Sequence, residues 1–307
     1  MRKTEDYFLR VVPSSENLAP PVAARLEQHP QLRTGKIIFA PAQEYAIVRE
    51  NRLFSIKFGQ RITPERTLVF GDDQLLVIEK QRDSTFNEIV IPFGNLLYVD
   101  LAIVLLYGYV TFCWMAGGTL QTLKIEYNGV GDRLMRAEVE RLRKTMLCPE
   151  VSAPVLSRAD WAAIWNSMPL KFANYLYYAL FAGEPVLRAV FQPTINPARR
   201  ARVSEDRTLA LTPEGMIVLE EAREFSKFGM VIRYYPARVI REMRFERASD
   251  RVWLRMSVGA SGLVEEAAIP LSESNAACFS EAVQRFMPSI PIRWASEAAL
   301  SPVGAGR

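Results

Sequence analysis

The segment RITPERTL at 61–68 returns as RVSEDRTL at 202–209, 141 residues on (202 − 61). Each copy then runs into an apolar strand, a turn and a second apolar strand: LVFGDDQLLVIEK at 68–80 and LALTPEGMIVLEE at 209–221. The spacing holds through both strands. Gly71-Asp72-Asp73 supplies the turn in one copy and Thr212-Pro213-Glu214-Gly215 in the other. Self-similarity at a fixed spacing constrains a fold more than local propensity does, because one plan must then satisfy both copies.

The likeness extends outward. Upstream, IIFAPAQ at 37–43 resembles AVFQPTI at 189–195 at a spacing of 152 (191 − 39), so the first copy has a longer loop before Arg61. Downstream, NLLYVDL at 95–101 resembles RVIREMRF at 238–245, with apolar alternation after a turn. Both copies close on an amphipathic segment. At 132–146 Leu134, Val139, Leu142 and Met146 recur at helical spacing, and at 274–287 Cys278, Phe279, Ala282, Val283 and Phe286 do. Asp132 and Ser274 stand where N-caps are expected. Each copy reads as a meander of short strands followed by one helix. Two unrelated α+β domains with similar hairpins is the alternative.

A curved antiparallel sheet closed by a C-terminal amphipathic helix resembles the bacterial pleckstrin-homology-like (PH-like) domains. Gly183-Glu184-Pro185-Val186 is similar to their Gly-Glu-x-Val opening, and 209–221 to their hairpin. Ile91-Pro92 and LLYGYV at 105–110 are similar to their Ile-Pro turn and the strand after it. The second copy has RYYP at 233–236 where Ile-Pro is expected, and the first opens on Thr34-Gly35-Lys36 instead of Gly-Glu. The resemblance implies an α+β, mostly β chain with two PH-like β-barrel or sandwich modules, at 36–147 and 183–288. Each is closed by a C-terminal helix, and a short helical linker joins them. An N-terminal segment with a short helix (1–35), a linker with aromatic-rich helices (148–182) and a flexible tail (289–307) complete the chain. Pro169 divides the apolar stretch 160–182 into two helices.

Composition removes several classes. A net charge of +4, from 38 Lys+Arg against 34 Asp+Glu, is too small to argue for nucleic acid, and none is expected as a partner. Cys113, Cys148 and Cys278 are far apart with no C-x-x-C spacing, which argues against disulfides and zinc. The opening MRKTEDYFLRVV lacks an apolar h-region, so a cytoplasmic location is expected. The uncharged run 101–118 approaches the length of a membrane-spanning helix. Gly108, Gly117 and Gly118, with Val104, Val110, Thr111, Phe112 and Trp114, make it read as buried β structure.

No catalytic set is visible, so the chain is not expected to be an enzyme, and no cofactor or metal is expected. The one histidine, His29, beside Pro30, reads as an exposed loop residue. Cys113 and Cys278 read as buried small hydrophobes. Gly129-Val130-Gly131 lacks the third glycine of a dinucleotide loop and reads as a strand-to-helix turn.

Two surfaces could bind something. In lipid-binding PH domains, cations around the loop between the first two strands hold phosphates. The resemblance carries that loop to 192–203, with Arg199, Arg200 and Arg202. Arginine forks match phosphate oxygens, although the loop reads first as a solvated one balanced by Glu205 and Asp206. The matching region of the first copy spreads Arg49, Arg52, Lys57 and Arg61. The arginine-rich segment 233–255 is diluted by Glu242, Glu246 and Asp250 and reads as an outward sheet face. The second surface is the linker, where Trp161, Trp165, Tyr177 and Tyr178 pack between modules or against a partner. The expected function is a non-enzymatic intracellular binding or scaffolding protein with an unidentified protein partner. The alternative is peripheral attachment to an anionic membrane surface through the Arg199–Arg202 loop.

Overall fold

Short apolar runs rich in β-branched and aromatic residues, parted by turn residues, form strands. The structure, a computed structural model, describes residues 7–50, 55–104, 106–145, 158–195, 206–221, 229–260 and 263–295. The first elements are β1 (Arg10–Val12), α1 (Pro20–Glu27), β2 (Lys36–Ala40) and a hairpin of β3 (Glu44–Glu50) and β4 (Ser55–Ile62). Next come β5 (Arg66–Phe70), β6 (Gln74–Lys80), β7 (Phe86–Pro92), β8 (Leu96–Val104), β9 (Tyr107–Ala116), β10 (Thr119–Asn128) and α2 (Asp132–Thr145). Two helices follow, α3 (Arg158–Asn166) and α4 (Leu170–Ala179). Then come β11 (Arg188–Gln192), β12 (Arg207–Thr212), β13 (Gly215–Glu221) and β14 (Gly229–Pro236). The last are β15 (Ile240–Arg247), β16 (Val252–Ala260), β17 (Leu263–Leu271), α5 (Glu273–Phe286) and β18 (Ile292–Ala295).

The fold is α+β and mostly strand. Its strand orders are β1-β2-β5-β6-β7, β10-β9-β8-β14-β13-β12-β11, β17-β16-β15-β18 and β3-β4. Barrel closure, one of the two forms expected, is not found among the described residues: every sheet ends in strands paired on one side only. The uncharged run is strand at 101–104 and 107–116, with Gly117 and Gly118 at φ +55° and +78° making the turn from β9 to β10. No described helix is long and apolar enough to cross a membrane.

One succession of elements occurs twice: four strands, a 3-10 turn led by proline, three strands and a helix. It runs β2-β5-β6-β7, Phe93–Asn95, β8-β9-β10, α2, and again β11-β12-β13-β14, Ala237–Val239, β15-β16-β17, α5. The register agrees. Phe39 faces Thr67 as Phe191 faces Thr208, Arg66 faces Glu79 as Arg207 faces Glu220, and Gln74 faces Pro92 as Gly215 faces Pro236. Pro236 therefore stands where Pro92 stands, and Tyr235 replaces Ile91 before it. The longer loop of the first copy is the hairpin β3–β4, inserted between β2 and β5.

The chain divides into two compact units, and the division passes through β8, β9 and β10. Unit 1 comprises Met1–Leu96, Ile103–Thr111 and Leu123–Thr145; unit 2 comprises Leu97–Ala102, Phe112–Thr122 and Met146–Arg307. In unit 1 the sheet interior is apolar on both faces, because Val22 and Leu26 of α1 cover Ile37, Val69, Leu76 and Ile78 from one side. Helix α2 buries Met135, Val139 and Leu142, while Leu134 is only half-buried. Its buried Glu138 is bonded by Lys36 Nζ at 2.6 Å and Arg141 Nε at 3.1 Å. Asp132 is the first helical residue rather than the cap. A 3-10 turn, Gly129–Gly131, precedes it, and the Asn128 side chain accepts from Val130 N at 3.1 Å.

In unit 2 one face of β11–β14 contributes Val190, Leu209, Leu211, Met216, Val218 and Tyr235 to a core shared with β15–β17 and α5. Phe279 and Val283 of α5 are fully enclosed there, each contributing about 1.5–3 kcal/mol through burial. The cap of α5 is Ser272, whose Oγ accepts from Asn275 N at 3.2 Å, not Ser274. Gln192 Oε1 fixes that helix end to β11 by accepting from Ser272 N at 2.6 Å and Asn275 Nδ2 at 2.9 Å.

Candidate functional site

Arg199, Arg200 and Arg202 lie outside the described residues, as does Arg52. At the base of the arginine loop, Asp206 Oδ1 accepts from Thr194 N at 2.7 Å and Thr194 Oγ1 at 2.8 Å. In unit 1, Arg61 pairs with Glu126, which also accepts from the Tyr107 hydroxyl. The bond to Glu126 raises the Arg61 pKa against the opposing effect of burial. Arg61 is therefore committed to an intramolecular pair.

The aromatic residues of α3 and α4 are brought together in unit 2. Trp165 packs edge-on against Trp161, with ring centroids 5.3 Å apart, and against Tyr177 at 6.2 Å. Helix α4 buries Phe172, Ala173, Leu176 and Ala179 on the face of β13 and β14 that points away from the core. Phe172 meets Phe191 at 5.0 Å, and Ala179 O accepts from the Tyr234 hydroxyl at 3.2 Å. The opposite face of α4 presents Leu170, Asn174 and Tyr177, with Leu170 74% and Tyr177 71% exposed. Tyr178 is half-buried beside it. Trp161, Ile164 and Trp165 of α3 are half-exposed, and none of that helix's described side chains is buried. Nine residues are too few for a stable isolated helix, so α3 depends on what its aromatic face touches.

Unit 1 holds an open cleft of about 640 Å³ lined by Ala42, Ile62, Thr63, Pro64, Glu65 and residues 79–83. The β6–β7 turn forms one wall. Ser84 sits there at φ +65°, and Asp83 Oδ1 accepts from Thr85 N at 3.0 Å and Thr85 Oγ1 at 2.6 Å. Glu79 is fully engaged, by Arg66 Nη2 at 2.6 Å and Gln81 Nε2 at 2.8 Å. Lys80 and Arg82 line the cleft with no carboxylate partner among the described residues.

Sequence reasoning missed a buried polar cluster in unit 2. Arg233 on β14 bonds Asp100 on β8 through both ends of its fork, Nε to Oδ1 at 2.6 Å and Nη2 to Oδ2 at 2.8 Å. Its guanidinium lies 4.7 Å from the Tyr98 ring centroid and 6.0 Å from that of Tyr235. Burial opposes the Arg233 charge, and the bonds and charge of Asp100 more than offset it, so its pKa rises. Burial pushes the Asp100 carboxyl up against the pull of Arg233, and pushes Tyr235 up to about 12. Tyr98 is raised too, by burial first and then by Cys113 beside it. Glu265 on β17 approaches the same group, with Oε1 3.5 Å from the Tyr98 hydroxyl. The signal in the sequence was Asp100 inside an apolar strand, since a buried carboxylate needs a cation.

His29 is not an exposed loop residue. It is partly buried, with Nε2 3.1 Å from Glu88 Oε2, while Arg25 Nη1 bonds Oε1 of the same glutamate at 2.5 Å. These two bonds outweigh burial and lower the Glu88 pKa. Cys113 is buried as expected. Cys278 is half-buried, and its Sγ lies 2.6 Å from Arg188 Nη2. Among the described residues no three His, Cys, Asp or Glu side chains gather as a metal ion would need. The segment 233–255 is not outward throughout, since Arg233 belongs to the buried cluster; on β15 and β16 Arg255 is bonded to Glu246 at 2.5 Å and Glu266 at 2.9 Å, and Arg244 to Glu266 at 3.4 Å.

No protein-family model matches the chain, and a search of curated proteins finds no match.

Proposed function

We propose that the chain is a non-enzymatic binding protein built from two PH-like modules, and that a protein partner docks on the aromatic face of α3 and α4. The observation that carries the docking surface is α3 itself: two tryptophans on a nine-residue helix with no buried described side chain. Interface cores are depleted of charge and enriched in Trp and Tyr, and the exposed stripe Leu170, Asn174 and Tyr177 fits that composition. The two-module plan is supported by the doubled succession of seven strands and a closing helix, with the same cross-strand partners. Fold alone does not select a ligand, so the surface carries the reading. The test is affinity capture with the wild-type chain and with Trp161→Ala/Trp165→Ala. The pair of substitutions should abolish specific retention of the partner while the cooperative thermal transition of unit 2 is kept, because α3 contributes no residue to that unit's core. Equal capture by both proteins would end this reading.

A second reading is favoured by the cleft in unit 1. Lys80 and Arg82 stand there without carboxylate partners among the described residues, and Ala42 and residues 62–65, from the connection between the first two strands of the module, line the same cleft. An anionic headgroup would then be the ligand, with the Arg199–Arg202 loop as its counterpart. Each cation contributes about 1 kcal/mol near an anionic surface. Lys80→Ala/Arg82→Ala should therefore weaken sedimentation with acidic vesicles about thirtyfold at low salt and leave neutral vesicles unaffected. Indifference to vesicle charge would remove it.

A further inference from the structure

We propose that Glu265 is a proton-controlled latch in unit 2, holding β17 against β8 while protonated and loosening that seam when ionised. The device is independent of the binding surfaces above. Five titratable or charged side chains from three strands face it: Tyr98 and Asp100 of β8, Cys113 of β9, and Arg233 and Tyr235 of β14. Arg233 is the cation among them, and Asp100 occupies both ends of its fork. The rings of Tyr98 and Tyr235 lie beside the guanidinium. Glu265 is left with the Tyr98 hydroxyl at 3.5 Å, the outer limit of a hydrogen bond. Its Oε2 is buried with no partner among the described residues.

Ionised, Glu265 is a second carboxylate in a cluster whose cation is already matched, and a partly buried charge without its own cation is costly. Burial raises its pKa above the ordinary 4.5; Arg233 and the Tyr98 hydroxyl pull the other way, and Asp100 adds to the rise. Strand β17 can respond because it ends its sheet, paired with β16 alone in the order β17-β16-β15-β18. Its neighbour Glu266 points to the other face, where Arg244 and Arg255 hold it. When the seam toward Tyr98 loosens, this stretch of β17 is held by β16 alone, and its ladder bonds open more often.

A carboxyl with a folded-state pKa above its unfolded value binds more protons folded than unfolded. Its contribution is complete below the unfolded value and is lost as pH rises through the folded one. The window opens near 4.5 and extends upward. Hydrogen exchange, corrected for intrinsic rates, should show protection at 264–266 falling across that window by about tenfold per unit of pKa displacement. Glu265→Gln should hold protection high and flat, with β12 and β13 unchanged as an internal reference. Tyr98→Phe removes a donor to the carboxylate and should move the wild-type transition to higher pH. Parallel profiles for wild type and Glu265→Gln overturn the proposal, and so does a Tyr98→Phe transition that does not move.

Discussion

The two strand sets share a plan and differ at their edges. Both carry an Arg–Glu pair across the second and third strands: Arg66 with Glu79 at 2.6 Å, and Arg207 with Glu220 at 3.3 Å. Both enter the 3-10 turn through proline at nearly the same backbone angles, φ −66° at Pro92 and −60° at Pro236. The fourth strands differ. β7 ends its sheet, whereas β14 has β13 on one side and β8 on the other. In step with that, Ile89 and Ile91 of β7 are replaced by Arg233 and Tyr235 of β14 (offset 144, 236 − 92). Features found in both sets belong to the plan itself, and features found once mark a local task. The Asp100–Arg233 pair belongs to the second kind, since it exists only where β14 has a second neighbour.

The largest effect should come from breaking that pair. Removing one partner leaves the other charge buried and unmatched, which typically costs about 3–5 kcal/mol. With 30% of the Arg233 side chain exposed, the low end of that range, about 3 kcal/mol, is expected for Asp100→Leu or Arg233→Met. Asp100→Leu/Arg233→Met removes both charges and should return to within about 1 kcal/mol of wild type. Urea unfolding of the four proteins measures this. Additive losses in the double variant would mean that the pair is an ordinary surface bridge, and the contrast between β7 and β14 would lose its meaning.

What the sequence revealed follows from where the information sits. The strand hairpins and the closing helices were legible because RITPERTL and RVSEDRTL repeat, and because apolar period is a local property. The β3–β4 insertion was visible only as a change in spacing from 141 to 152, since a loop and a hairpin cost the same number of residues. Asp100 was visible as an interruption of an apolar run, but its partner lies 133 residues away and no local pattern points to it. His29 was misplaced for the same reason, because Glu88 is 59 residues distant. The cap of α5 was misplaced by two residues. Ser272 and Ser274 are equally good acceptors, and the choice depends on where β17 releases the backbone. Trp161 and Trp165 stood out because aromatic density is readable without any knowledge of packing. The arginine loop stood out by its charge density, and Arg199, Arg200 and Arg202 fall outside the described residues.

A smaller effect should separate the two hairpins. In the first, Phe70 and Leu75 are the last facing pair, and Gly71 N bonds Gln74 O at 2.9 Å across a four-residue connection. In the second, Thr212 faces Gly215 directly, and Pro213 and Glu214 alone make the turn. The tighter turn brings Gly215 to φ +151°, where a Cβ would stand 1.9 Å from Tyr235 O. Gln74 holds the equivalent position opposite Pro92 with an ordinary side chain. Gly215→Ala should therefore cost about 1–3 kcal/mol, because the backbone must leave a conformation that side chains rarely adopt and the β13–β14 spacing must widen. Gln74→Gly should cost only about 0.5–1 kcal/mol, the entropy of a freer chain within a strand. Thermal unfolding of the two variants beside wild type reads the difference. Equal losses would show that the two-residue turn imposes no special conformation on its strand, and that the hairpins differ in sequence without differing in strain.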